Sequence, residues 1–258
     1  MTQQKMPMLF AGHGSPMSAI ENNEFTMAWE RIGQALPRPK AILSISAHWT
    51  SRGLEVQPQE QPQQIYDMYG FPKALYDLKY PVKGSPDLAA MVEQLVQTKP
   101  VQADTSWGID HGTWAVLCKI YPQADIPVVQ LSIDLTASPA ELYQIGKELQ
   151  PLREQGILLF ASGDVVHNLR RLDWERPNGF DWADAFDKHI RDNIVARNDE
   201  AVINYQAFGE AAQLSCPTPE HFYPLLYVLG AASPDDKITV FNDARTMGSL
   251  SMTGYLWQ

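Results

Sequence analysis

At 258 residues, with 45% hydrophobic and 19% charged side chains, the chain is long enough to bury a substantial core. A formal net charge of -10 excludes the concentrated positive field that a nucleic-acid or anionic-membrane surface needs. No run of about 20 apolar residues indicates a membrane span, and the two cysteines, Cys118 and Cys216, make no disulfide framework, so a reducing cytoplasm is the expected setting.

In chain order, the apolar run Pro7 to Ala11 reads as a buried strand that stops at Gly12-His13-Gly14. Ala41 to Ser46 reads as a second strand, ended by His48 and Trp49. The polar stretch Gln57 to Gln64 reads as a surface loop. Ser85 followed by Pro86 marks a helix start, with the helix running to about Thr98. Trp107 to Trp114 is a glycine-flanked loop ahead of a helix, with Asp110 placed to cap it. Ile126 to Ile133 is a third strand. Ser138-Pro139 repeats the helix start and adds Glu141 as a capping-box partner, with a stop near Gly156. Ile157 to Ala161 is a fourth strand, followed by Asp164-Val-Val-His167-Asn168. Two more helices cover Trp182 to Arg197 and Pro219 to Ala232, while Lys237 to Phe241 and Ser249 to Trp257 pair as an antiparallel ribbon. This alternation predicts one α/β domain over 1–258. Its central sheet is largely parallel and flanked by helices, with the antiparallel strand pair at the C-terminal end.

Four of the six histidines stand where an apolar run gives way to a turn. Strand ends sharing one edge of an open α/β sheet form the crevice where ligands sit, and imidazole is the commonest transition-metal ligand. His13, between two glycines, suits a metal site or a turn histidine capping a backbone group. His48 is a ligand or a core histidine donating to a carbonyl. His167 suits a ligand, an acid/base or a helix cap; His221, beside Glu220, suits a ligand. His111 lies between two tryptophans that read as an aromatic wall, and His189 sits on a charged helix face and is set aside.

The motifs Gly12-His-Gly-Ser-Pro-Met17, Ser46-Ala-His-Trp49, Gly70-Phe-Pro-Lys-Ala-Leu-Tyr76, Trp107-Gly-Ile-Asp-His-Gly112, Ala161-Ser-Gly-Asp-Val-Val-His-Asn-Leu169 and Pro217-Thr-Pro-Glu-His221 cover nearly the full length. Together they resemble the class III extradiol ring-cleavage dioxygenases, the LigB-like superfamily, in its 4,5-DOPA branch. The resemblance implies an α/β fold and one divalent metal ion per subunit, Fe(II) for activity with Zn(II) readily held. It implies His13, His48, His167 and His221 as the metal-site histidines, with His167 and His111 as the catalytic pair. Better-known relatives complete their metal triad with a glutamate; here Glu220 adjoins His221, and the branch pattern favours His221.

The implied reaction opens a catechol with O2, and for L-DOPA the product is 4,5-seco-DOPA. Proton transfer falls to His167, with His111 assisting. Arg170, Arg171 and Lys73 are candidate carboxylate partners, and Trp49, Trp107, Trp114, Phe222 and Tyr223 candidate ring stackers, though a solvated face and the core are their alternatives. Two rival functions use the same residues: a zinc hydrolase of amidase type, acting without oxygen, and a non-catalytic Memo-like binding protein.

Overall fold

The computed structural model of the protein describes residues 5–258. Its elements run β1 (Met8–Gly12), α1 (Glu24–Ala35), β2 (Ala41–Ser51), β3 (Leu54–Val56), α2 (Lys73–Asp77), α3 (Pro86–Leu95), β4 (Val101–Ala103) and α4 (His111–Ile120). They continue with β5 (Val128–Asp134), α5 (Pro139–Leu149), α6 (Pro151–Glu154), β6 (Ile157–Gly163), α7 (Asp181–Val195), α8 (Asp199–Ile203) and α9 (Glu210–Ser215). The last are α10 (Tyr223–Gly230), β7 (Ile238–Phe241), β8 (Arg245–Thr246), β9 (Leu250–Ser251) and β10 (Gly254–Trp257).

Eight strands form one sheet in the order β4-β3-β5-β2-β6-β1-β10-β7, and β8 pairs with β9 apart from it. The centre, β5-β2-β6-β1, is parallel; β10 joins β1 antiparallel and β7 joins β10 antiparallel. The strand-forming runs are apolar on both faces because both faces are covered. Met8 and Phe10 of β1 pack into one core with α5, α7 and α10, while Leu9 and Ala11 pack into the other with α1 and α4. Near-continuous apolar strands are what a doubly covered parallel sheet requires.

The α/β class, the largely parallel sheet and the antiparallel tail are as expected, and several boundaries differ. The Ser85 and Ser138 caps form as read: Ser138 Oγ accepts from the Glu141 N–H while Glu141 accepts from Ser138. The first of these helices ends at Leu95 rather than Thr98, and the second breaks at Gln150, because Pro151 has no N–H to continue it. The helix read from Pro219 starts at Tyr223, where Pro224 occupies the first turn. The C-terminal ribbon is not free-standing, since β10 inserts between β1 and β7 in the main sheet. Both cysteines are free, and among the described residues no helix is long and apolar enough to cross a membrane.

Candidate metal centre

β1 and β6 end in register, Gly12 beside Gly163, and the His13 N–H donates to the Gly163 carbonyl at 3.1 Å. The chain therefore leaves the sheet at His13, on the carboxyl edge of the parallel strands. At the same edge the Asp164 N–H donates to the His221 carbonyl at 2.9 Å. That close approach needs glycine: a Cβ on Gly163 would stand 2.2 Å from the His221 carbonyl oxygen. His221 itself sits in a turn, with the N–H groups of Phe222 and Tyr223 both donating to the Pro219 carbonyl. His48 does not end its strand. It lies inside β2, where the register with β5 shifts between Ile45 and Thr50, and a bulge of this kind re-aims a side chain. Ser46 Oγ accepts from the His48 N–H and donates to Asp110, whose carboxylate also caps α4 at Thr113. His111 is therefore the first residue of that helix.

The imidazoles of His13, His48 and His221 meet, with ring centroids 5.1 to 5.3 Å apart. His13 Nε2 and His48 Nε2 face each other at 3.3 Å, and ring nitrogens of all three histidines lie within 4.8 Å of one another. Each ring turns its other nitrogen to a partner. Ser162 Oγ donates its proton to the Gly112 carbonyl, so it accepts from His13 Nδ1–H at 2.9 Å. Asp67 Oδ2 takes His48 Nδ1–H at 3.1 Å, and Glu220 Oε1 takes His221 Nδ1–H at 3.2 Å. These partners fix one tautomer in all three, leaving bare lone pairs on Nε2. His221 Nε2 is buried and has no hydrogen-bond partner. Three convergent, unprotonated nitrogens, one of them orphaned, fit a divalent transition-metal ion.

Electrostatics favour the neutral form of two of the three donors. Burial, then the neighbouring imidazoles, lower the pKa of His13 and His221 well below the ordinary histidine value. For His48 burial pulls the same way, but the Asp67 carboxylate beside it wins and raises the value. Asp67 is half-shielded from water, yet its bonds to His111 and His48 outweigh that and hold its carboxyl far below the usual range. Burial drives Asp164 the other way, well above it, although Gly14 and His13 N–H groups oppose the shift. His167 is lowered to about 4, first by burial.

His167 stacks flat on His221, with centroids 3.4 Å apart and planes 5° from parallel. An imidazole lone pair lies in its ring plane, so the lone pairs of these two parallel rings do not converge on one point. His111 packs against His48 at 3.9 Å, with Nδ1 2.9 Å from Asp67 Oδ2. All five sequence-selected histidines thus share one cavity of about 370 Å³. His189 lies elsewhere, stacked on Phe208 and half-buried rather than fully solvated.

Other candidates stay outside. Trp49 stacks on Trp107, and Trp114, Phe222 and Tyr223 are core residues, so none lines the cavity. Arg170 and Arg171 are exposed, and Lys73 pairs with Asp77. Sequence reasoning missed Asp67, which bridges two imidazoles, and Ser162, which sets the His13 tautomer. The signal for Asp67 was an acid set among Ile65, Tyr66 and Met68, a stretch too apolar for a solvated loop.

Gly112 leaves no room for a side chain: a Cβ there would lie 2.5 Å from Ser46 Oγ and 2.8 Å from His48 Cδ2. Gly112→Ala is expected to push His48 aside and weaken metal binding by about tenfold or more, the scale of a lost supporting contact. Competition with a chelator on the purified variant measures it.

Residues 7–255 match the family described as the catalytic LigB subunit of aromatic ring-opening dioxygenase. The chain belongs to this family. It is 47% identical over 257 residues to the 4,5-DOPA dioxygenase extradiol of Escherichia coli K12, covering 98% of this chain and 94% of that one. It is 36% identical over 254 residues to the protein of the same name from Beta vulgaris, covering 95% and 94%. Among solved structures, that of an uncharacterized Escherichia coli K12 protein superposes with a TM-score of 0.85 at 43% identity, covering 98% of this chain and 99% of that one.

Proposed function

We propose that this LigB-family chain is an extradiol dioxygenase that opens a catechol ring with O2 at one divalent metal ion. Three bare Nε2 lone pairs converging beneath a ring-sized cavity carry this reading. His13, His48 and His221 hold the ion; Ser162, Asp67 and Glu220 orient them. Bound there, the metal supplies a common anchor for the two catechol oxygens and O2 and a path for electrons between them.

The protein's own share is positioning and proton handling. His167, neutral through burial and stacked beside His221, accepts a catechol proton and returns it later to an oxygen of the product. His111, its Nδ1 held by Asp67 on the other side, lines the same cavity and accepts a hydrogen bond through its remaining nitrogen. The bond broken lies beside the two hydroxyl-bearing carbons. One broken end becomes a carboxylate and the other an aldehyde, with both atoms of O2 retained, so no outside reductant is needed. The relatives' names point to L-DOPA, for which the product is 4,5-seco-DOPA.

Fe(II) is the metal proposed for turnover, with Zn(II) as an ion that so histidine-rich a site also takes. The test loads metal-free protein with Fe(II) or Zn(II) without air, then follows oxygen uptake and colour with L-DOPA and simpler catechols. Fe(II)-dependent uptake with a yellow ring-opened product is expected. No uptake at verified Fe(II) occupancy overturns the reading, and oxygen-independent amide hydrolysis by the Zn(II) form would put the hydrolase in its place.

A further inference from the structure

Above its histidine floor the cavity wall is largely apolar, with Ser15 its polar side chain. Met17 follows β1, Met68 and Phe71 come from the segment that carries Asp67, Leu172 and Trp174 follow β6, and Met247 precedes β9. Among the described residues, no lysine, arginine, aspartate or glutamate side chain lines this cavity. The basic groups nearest in sequence are turned out or engaged elsewhere. Arg170 and Arg171 face solvent, Lys73 holds Asp77, and Arg176 donates to the Gly179 carbonyl while lying over the Phe180 ring. Trp174 is 78% exposed at the rim, an indole with no core of its own to join.

A carboxylate drawn against this wall sheds its water and meets no cation, which is costly. The chain's net charge of -10 adds long-range repulsion. An alkyl chain on the ring gains from the same wall with every methylene that leaves water, and a rim tryptophan supplies a broad surface to complete its cover.

We propose that the site selects catechols whose ring carries an uncharged, apolar substituent, with Trp174 covering that substituent. L-DOPA, with a zwitterionic tail, is turned over but held more weakly than an alkyl catechol of equal length. The inference rests on the ring-cleavage reading and deepens it.

The Zn(II)-loaded protein allows binding to be measured apart from turnover. Calorimetry without air would compare 4-propylcatechol, L-DOPA and 3-(3,4-dihydroxyphenyl)propanoate. The propyl compound is expected to bind about tenfold or more tightly than either charged analogue, given the gain per buried methylene. Trp174→Ala, a change at an exposed position that leaves the core intact, is expected to weaken 4-propylcatechol several-fold and L-DOPA little. Equal or tighter binding of L-DOPA overturns the proposal and leaves ring cleavage standing. Uniform weakening of all three compounds in the variant overturns the role of Trp174. No binding of any catechol, together with no oxygen uptake by the Fe(II) form, overturns both readings.

Discussion

Exchanging His221 for alanine is expected to leave the protein folded but unable to keep its metal. His221 Nε2 is buried without a hydrogen-bond partner, and it completes the set begun by His13 and His48. Two imidazoles remain, and the carboxyl oxygen beside them, Asp164 Oδ2 at 3.5 Å from His13 Nε2, is a poor substitute. Asp164 Oδ1 is tied to the Gly14 N–H, and burial favours the protonated form of its carboxyl. Oxygen uptake with catechol should fall by more than the ~10–100-fold typical of losing a merely supporting contact. Metal content after dialysis should drop well below one ion per chain. The backbone carbonyl that ties residue 221 to Asp164 survives the change, so the metal-free variant should melt close to the metal-free parent. A variant that keeps a full ion would remove His221 from the ligand set.

His167→Ala should separate chemistry from metal holding. With His167 stacked parallel to His221, so that their lone pairs do not converge, its loss should leave the metal content near one per chain. Turnover should fall ~10²–10⁴-fold, the usual worth of a positioned acid/base. Added imidazole, small enough for the vacated part of the cavity, should restore part of kcat without changing metal content. Loss of the ion along with activity would instead make His167 a ligand.

The sheet was largely legible because its signals are local. β1, β5 and β6 are short apolar runs, and the starts at Ser85-Pro86 and Ser138-Pro139 announce helices by chemistry within four residues. β2 was cut short because its last five residues, Ala47 to Ser51, run through and past a bulge, and a bulge breaks the pattern a strand is read by. At the start of α10 two prolines compete, and only packing decides that Pro219 shapes a turn while Pro224 opens the helix.

The histidines of the centre were legible from the apolar runs that lead into turns beside them and from family motifs. Their supporting partners were not. Asp67 meets His48 and His111, and Ser162 meets His13, across separations that no spacing rule reaches. The tryptophans misled in the opposite direction. Trp49 is adjacent to a cavity histidine, yet neighbours on a strand point to opposite faces, which sends its ring to Trp107 and away from the substrate space.

The insertion of β10 between β1 and β7 has a bearing on how the protein is made. β1 is the first strand of the sheet to be synthesised and β10 the last, yet they are partners through Met8 and Trp257, Leu9 and Leu256, and Phe10 and Tyr255. Until β10 emerges from the ribosome, one flank of β1 has no strand to pair with. A nascent chain halted before Gly254 therefore presents the apolar run Met8–Gly12 as an open template for a neighbouring copy. Emergence of Gly254–Trp257 supplies the chain's own strand to that gap, so shielding from aggregation waits for β10.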